Sequence, residues 1–299
     1  MNDKISLDSD LCIGCQACVA ICPRVCFTMT DQQKARVISD EACHSCGHCI
    51  SVCPEGAISH RYYSSQEYQE ITEKLSTDAI PGGQLYYFLK SLRSTRSFSS
   101  KPVEKELLER LVDITRYAPS AKLVQNVELV VVRDPKVIIQ LKKLCAETIK
   151  NTLRKLNNPF IRVLLRLTGK KEALQKGLKA KPRLLRMQEE LEKGEDSLFH
   201  DAKTIVVFHG KKEGLYVKEN CLYAASYLRV LAHGFNLGTC LIGYLENFAK
   251  YNPRILSLLT IPKTNRLCET VIIGYPKYSF RTFVARNPAQ VKWLANAEK

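Results

Sequence analysis

Apolar residues change their spacing part-way along this 299-residue chain. Val103 to Arg116 repeats them at helical intervals just after Pro102, a residue suited to a helix start. Val127 to Val132 is a continuous apolar run, as expected for a buried strand. From Pro135 the pattern is helical again, with breaks expected at Asn157-Asn158-Pro159 and at Pro182. Ile205-Val206-Val207-Phe208 and Thr270-Val271-Ile272-Ile273 read as two more buried strands. Asn220 to Ala232 is apolar on most of its circumference, which predicts a buried helix. Helices around a few central strands predict an α+β domain over residues 85–299. Residues 63–84 read as a linker, because Ser, Tyr, Gln and Glu crowd it and Ile80-Pro81-Gly82-Gly83 breaks any regular element. Residues 1–62 form a separate small unit.

A hydrophobic content of 45% suffices for a small domain and a larger one with its own core. The net charge of +15 is concentrated: Lys136 to Lys193 holds sixteen Lys or Arg against five Glu. Such a stretch suits an acidic partner, an anionic substrate or a solvated helical face. Nucleic acid is not expected, because no recognised nucleic-acid module accompanies the charge. No apolar run approaches the ~20 residues that span a bilayer. Phe160 to Leu167 is amphipathic with Arg162 and Arg166, and is expected to pack on the protein's own core or serve as a lid rather than lie on a membrane. Thirteen cysteines without a secretory leader predict a reducing, cytoplasmic setting.

Eight of those cysteines form the chain's one internal repeat. They fall as Cys12-x-x-Cys15-x-x-Cys18-x-x-x-Cys22-Pro23 and as Cys43-x-x-Cys46-x-x-Cys49-x-x-x-Cys53-Pro54. This spacing suits two [4Fe-4S] clusters, with the fourth cysteine of each run ligating the other cluster. Cys12, Cys15, Cys18 and Cys53 are the expected ligands of one, and Cys43, Cys46, Cys49 and Cys22 of the other. Zinc ribbons use two cysteines per knuckle and lack the offset fourth. His44 and His48 lie between ligands as solvated or supporting groups, and Cys26 reads as a packing residue. The stretch from about residue 3 to 61 resembles bacterial-type two-cluster ferredoxins.

Three segments further on resemble the nitroreductase family of FMN-dependent enzymes. Ser91-Leu92-Arg93-Ser94-Thr95-Arg96-Ser97-Phe98 is similar to the family's flavin-phosphate segment, and implies Arg93, Ser94 and Arg96 as cofactor contacts. Guanidinium forks and hydroxyl donors suit a phosphate dianion. Tyr117 to Asn126 resembles a loop that the partner subunit contributes, which implies Pro119, Ser120 and Gln125 beside the flavin. Gly234 to Gly243, with Gly274-Tyr275-Pro276-Lys277 and Arg286 downstream, resembles the family's flavin turn and tail. It implies Leu241, Ile242 and Gly243 at the isoalloxazine and Arg286 at the phosphate. Leu92, Leu123 and Asn126 depart from the family pattern.

The resemblance implies a homodimeric iron-sulfur flavoprotein oxidoreductase. Electrons would pass from a low-potential donor, such as a ferredoxin or flavodoxin, through the clusters to FMN. A small-molecule acceptor, such as a nitro compound or quinone, would receive them. No catalytic side chain is assigned. A non-catalytic redox relay or sensor and a NAD(P)H-fed flavin reductase are the alternatives. No Gly-x-Gly-x-x-Gly turn after a strand is present to hold a dinucleotide. Cys145, Cys221, Cys240 and Cys268 read as core residues, with Cys240 nearest the flavin turn; Tyr244 is a possible acid there.

Overall fold

The computed structural model describes residues 4–63, 80–169, 171–280, 282 and 284–294. Most of the expected linker, residues 64–79, lies outside them. Its last part does not: a helix begins at Gly82, so the Pro-Gly-Gly cluster starts an element instead of ending one. Pro81 is the residue before the first turn, where its missing N–H costs nothing.

The small unit pairs β1 (Ile5–Leu7) with β4 (Ile58–His60), and β2 (Phe27–Met29) with β3 (Ala35–Val37). Two short helices, α1 (Ala17–Ile21) and α2 (His48–Val52), begin at the third residue of the second Cys-x-x-Cys in each run. Cys26, Phe27 and Ile58 are buried between the two halves. So little apolar side chain is buried that the cysteines themselves form much of the core, which is the usual condition of small metal-stapled domains.

The large unit carries α3 (Gly82–Ser91), α4 (Lys105–Asp113), β5 (Glu128–Val132), α5 (Pro135–Asn157), α6 (Pro159–Leu167), α7 (Lys171–Glu192), β6 (Thr204–Lys211), α8 (Val217–Gly234), β7 (Gly238–Leu241), α9 (Gly243–Tyr251), α10 (Arg254–Leu258) and β8 (Asn265–Gly274). Its sheet runs β5-β6-β8-β7 with antiparallel pairs throughout. Alternation along β6 and β8 explains the continuous apolar runs. Ile205, Val207 and Ile272 face a helical layer built on Leu141, Cys145 and Ile149 of α5 and Leu245 of α9. Val206, Phe208, Val271 and Ile273 face Cys221, Ala224, Ala225 and Leu228 of α8. Both faces are covered, so the central strands are largely apolar, and the buried Thr270 hydroxyl on β8 has no hydrogen-bond partner among the described residues. Cys145, Cys221, Cys240 and Cys268 are all buried, as expected of packing residues.

Four expectations need correction. β5 is an edge strand, with Glu128 and Val131 exposed, because only β6 pairs with it. Pro182 does not break α7: it lies on an exposed part of the helix, where the lost hydrogen bond faces solvent. Gly238 to Leu241 is a strand rather than a turn, drawn into the sheet by β8. Phe160 to Leu167 does not pack on the core but lies against the neighbouring helices α5 and α7. No residue of α6 is buried, and Phe160 and Leu167 are 83% and 79% exposed.

Candidate functional site

Two cysteine cages lie in the small unit. Cys12, Cys15 and Cys18 line one cavity together with Cys53. Cys43, Cys46 and Cys49 line the other together with Cys22. The fourth cysteine of each run therefore crosses to the other cage, as the spacing requires. The crossing has a local cause. Cys22 and Cys53 end α1 and α2 in matching extended conformations, with φ −72 and −76 and ψ 109 and 115, and the following proline keeps the chain extended.

Tight turns hold the first three cysteines of each run. Gly14 adopts φ 72, and a Cβ there would collide with the carbonyl of Gln33. Gln16 and Gly47 are also left-handed, and each precedes its short helix. These turns aim backbone N–H groups at sulfur. Ser45 N donates to Cys43 Sγ, Cys26 N to Cys22 Sγ and Ala57 N to Cys53 Sγ, each at 3.3 Å. Burial works against the Cys22 thiolate, but the backbone N–H groups around it bring its pKa below the ordinary thiol value. Burial pushes Cys49 up to about 11 and Cys26 up to about 12. Cys49 therefore needs a cation to release its proton, whereas Cys26 stays a thiol. The set of sulfur donors with N–H groups behind them fits an iron-sulfur cluster in each cage.

A larger cavity lies in the second unit, where three distant segments meet. Thr95 N donates to Thr239 O at 2.9 Å, and Ser94 forms a parallel bridge to Thr239. The segment from Ser94 therefore extends the sheet beyond β7. Lys277 N donates to Ser97 O at 3.0 Å, and Ser99 N to Tyr275 O at 2.8 Å. Arg96, Phe98, Leu241, Ile242, Gly243 and Lys277 consequently line one cavity. Gly243 opens α9 with no atom within 4 Å of where its Cβ would stand.

The opposite wall comes from α7 and the turn after it. Arg183, Arg186 and Glu190 line it, with Asp196 and His200. Asp196 shapes that turn. Its carboxylate accepts from the N–H groups of Leu198, Phe199 and Asp201, and Lys142 Nζ lies 2.6 Å away. Burial lowers the His200 pKa, and the neighbouring Arg186 lowers that of Glu190. Tyr244 also borders this cavity, while its hydroxyl is buried without a hydrogen-bond partner and burial raises its pKa. The cavity brings the apolar surface of Phe98, Leu241 and Ile242 together with the cations Arg96, Lys277, Arg183 and Arg186, beside the acids Glu190 and Asp196. That suits a flat aromatic ligand with an anionic tail.

The remaining expected contacts are elsewhere. Pro119, Ser120 and Gln125 line a separate cavity with Asn220 and Ala224. Gln125 is held there by Ser120 Oγ and the Arg116 carbonyl, both at 3.3 Å. Arg93 and Ser94 are half-buried and do not line the large cavity, and Arg286 is exposed on an irregular tail. Sequence reasoning missed Arg183, Arg186 and Asp196, which no short motif marks. Lys277 was legible as the residue after Gly274-Tyr275-Pro276.

Comparison with known proteins settles the family. Residues 89–275 match the model described as "Nitroreductase family", which is more than half of the chain. The chain belongs to the nitroreductase family. Residues 4–54 of this nitroreductase-family chain match the model of the 4Fe-4S dicluster domain. A ferredoxin of Thermococcus litoralis is 50% identical over 38 residues, which is 13% of this chain and 63% of that protein. The chain thus spans less than two thirds of the curated relative it matches. A nitroreductase of Desulfitobacterium hafniense DCB-2, solved with bound FMN, is 15% identical with a TM-score of 0.52. The match covers 71% of this chain and all of that one, and shows the shared α+β fold. A second FMN-bound nitroreductase, from Bacteroides fragilis NCTC 9343, is 17% identical with a TM-score of 0.49, over 70% of this chain and 99% of that one.

Proposed function

We propose that this chain is an iron-sulfur flavoprotein oxidoreductase that passes electrons from a low-potential carrier through two [4Fe-4S] clusters to FMN, and on to a small conjugated acceptor such as a nitro compound or quinone. One observation carries the reading most directly: Arg96, Leu241, Ile242, Gly243 and Lys277, from three segments far apart in sequence, line a single cavity. FMN, when bound, supplies the step between one-electron delivery and two-electron reduction. The chain's own residues hold and shield it. Arg96 and Lys277 provide the charges for its phosphate, and Arg93, Ser94 and Arg286 are further candidate contacts there. Leu241, Ile242 and Gly243 provide the surface against its ring.

Pro119, Ser120 and Gln125 are proposed to serve the cavity of a second subunit. Their own cavity is distinct from the one lined by Arg96, which supports a homodimer. The basic segment from Lys136 to Lys193, on α5, α6 and α7, is proposed as the docking face for an acidic ferredoxin or flavodoxin. Arg183 and Arg186 of α7 also border the cavity, so part of this charge serves the ligand. The proposed setting is the cytoplasm; among the described residues, no helix is long and apolar enough to cross a membrane.

The test is anaerobic purification followed by flavin and iron analysis, and by turnover of a nitroarene or quinone with a reduced ferredoxin. Arg96→Ala removes one charge-assisted contact and is expected to weaken FMN binding by about 1.5–3 kcal/mol, roughly 10- to 100-fold in Kd. Unchanged flavin retention on dialysis would remove Arg96 from the site.

A further inference from the structure

The two cysteine cages are related by a shift of 31 positions, Cys12 to Cys43 through Cys22 to Cys53. Each residue around one cage therefore has a counterpart around the other, and the chain supplies its own control. The cage of Cys12, Cys15, Cys18 and Cys53 is bordered by Ile13, Gln16 and Glu55. That of Cys43, Cys46, Cys49 and Cys22 is bordered by His44, His48, Arg24 and His60. The shift pairs Ile13 with His44, Ala17 with His48 and Met29 with His60. It also pairs Arg24 with Glu55, so a cation beside one cage faces an anion beside the other.

From these pairings we infer that the two clusters have different reduction potentials, with the Cys43 cluster the more easily reduced and hence the one on which electrons rest before leaving the module. The inference rests on the two-cluster reading proposed above. Reduction adds one negative charge to a cluster, so nearby cations and N–H donors to sulfur raise its potential. Arg24 is tethered beside the Cys43 cage, its Nε donating to the Ala42 carbonyl at 3.2 Å. Glu55 follows Cys53 by two residues in the other cage and opposes reduction there.

Hydrogen bonding points the same way. The bonds from Cys26 N to Cys22 and from Ala57 N to Cys53 are equivalent at 3.3 Å and cancel. Cys43 Sγ alone receives Ser45 N, at 3.3 Å, and has the buried His60 Nε2 3.9 Å away. Cys12, its counterpart, has no such donor among the hydrogen bonds of the described residues. The loops leading into the cages carry two acids each, Asp8 and Asp10 against Asp40 and Glu41, and do not distinguish them. Solvent does not separate the cages, since Cys15 is exposed against a half-buried Cys46 whereas Cys18 is buried against a half-buried Cys49.

The step moves one electron from the Cys12 cluster to the Cys43 cluster with no bond made or broken. The reductant is a low-potential one-electron carrier. The chain also leaves the module beside the accepting cage, where the Tyr63 hydroxyl donates to the Ser45 carbonyl and His60 Nε2 lies 3.3 Å from Ser45 Oγ.

The experiment is an EPR-monitored potentiometric titration of the full, anaerobically purified chain, with iron counted on the same sample. Two reduction steps are expected. Arg24→Glu and His60→Met place the pseudo-symmetric residue at each position. Each is expected to lower the upper step and leave the lower one in place. Glu55→Arg is expected to raise the lower step. For the two charge reversals the change is about tenfold in the reduction equilibrium, or ~59 mV for a one-electron couple. Arg24 and Glu55 are exposed, so these two variants report even if His60→Met loads poorly. About eight irons with a single shared potential, or a lower step that moves with Arg24→Glu, would overturn the inference and leave the two-cluster reading intact. About four irons would remove that reading and the inference with it.

Discussion

Thr95 and Gly238 are in direct contact although 143 positions separate them. The Thr95 hydroxyl occupies the space a Cβ on Gly238 would need, 2.5 Å from its ideal position. This contact lets Thr95 reach the Thr239 carbonyl and sets Arg96 at the mouth of the large cavity. Gly238→Ala is expected to push the 94–98 segment off the sheet edge. Overpacking of this kind costs about 1–3 kcal/mol. Loss of FMN retention should accompany it, although residue 238 itself does not line the cavity. A thermal melt and a flavin-retention assay on the same sample check this; wild-type behaviour in both would show that the segment accommodates the methyl group.

Cys53→Ala should damage the cluster whose other ligands are Cys12, Cys15 and Cys18, because all four side chains line one cavity. Cys22→Ala should damage the other. Iron content should fall towards half in either variant if the remaining cluster assembles. Mössbauer or EPR spectra that lose the same signal in both would contradict the crossed arrangement.

Electron entry is expected through the clusters. Reduced ferredoxin should reduce the flavin in stopped flow at a rate that falls as salt rises, since the Debye length shrinks from about 10 Å at 0.1 M to about 3 Å at 1 M. Charge reversals at Lys171, Lys176 and Lys179, exposed on α7 or at its start, should weaken this salt dependence. Fast reduction by NADH or NADPH in a variant lacking both clusters would exclude obligatory cluster entry.

Stability should decline on mild acidification. His209 lies in β6, buried, with Nδ1 3.0 Å from Asn265 Nδ2, and burial lowers its pKa below the ordinary 6.5. The unfolded chain binds its proton first as pH falls. The contribution of neutral His209 is therefore full above about pH 6.5 and is lost as pH falls towards the depressed folded value. His60, His200 and His233 are lowered by burial as well. Denaturant unfolding at pH 7.5 and 5.5 should show this loss. His209→Asn should be less stable at pH 7.5 yet lose less on acidification.

Much of this protein was written locally. The cysteine spacing alone specified the crossed cages, because a metal-binding turn is short and its sulfur donors are fixed by a few residues. The apolar runs at Ile205 and Thr270 announced central strands, since burial on both faces removes polar alternation. Other features depended on neighbours that the sequence does not show to each element. Val127 to Val132 has a central strand's composition but only one pairing partner, so it became an edge. Pro182 fits inside a helix because its side of α7 faces water. Phe160 to Leu167 has the pattern of a buried helix face, yet the core is already filled by α5. The large cavity shows the division most clearly. Arg96, Gly243 and Lys277 were each visible in a motif, whereas Arg183 and Asp196 were not. Their place depends on how α7 packs on α5 and where its following turn then lies, and that packing is decided only when the whole chain has condensed around its sheet.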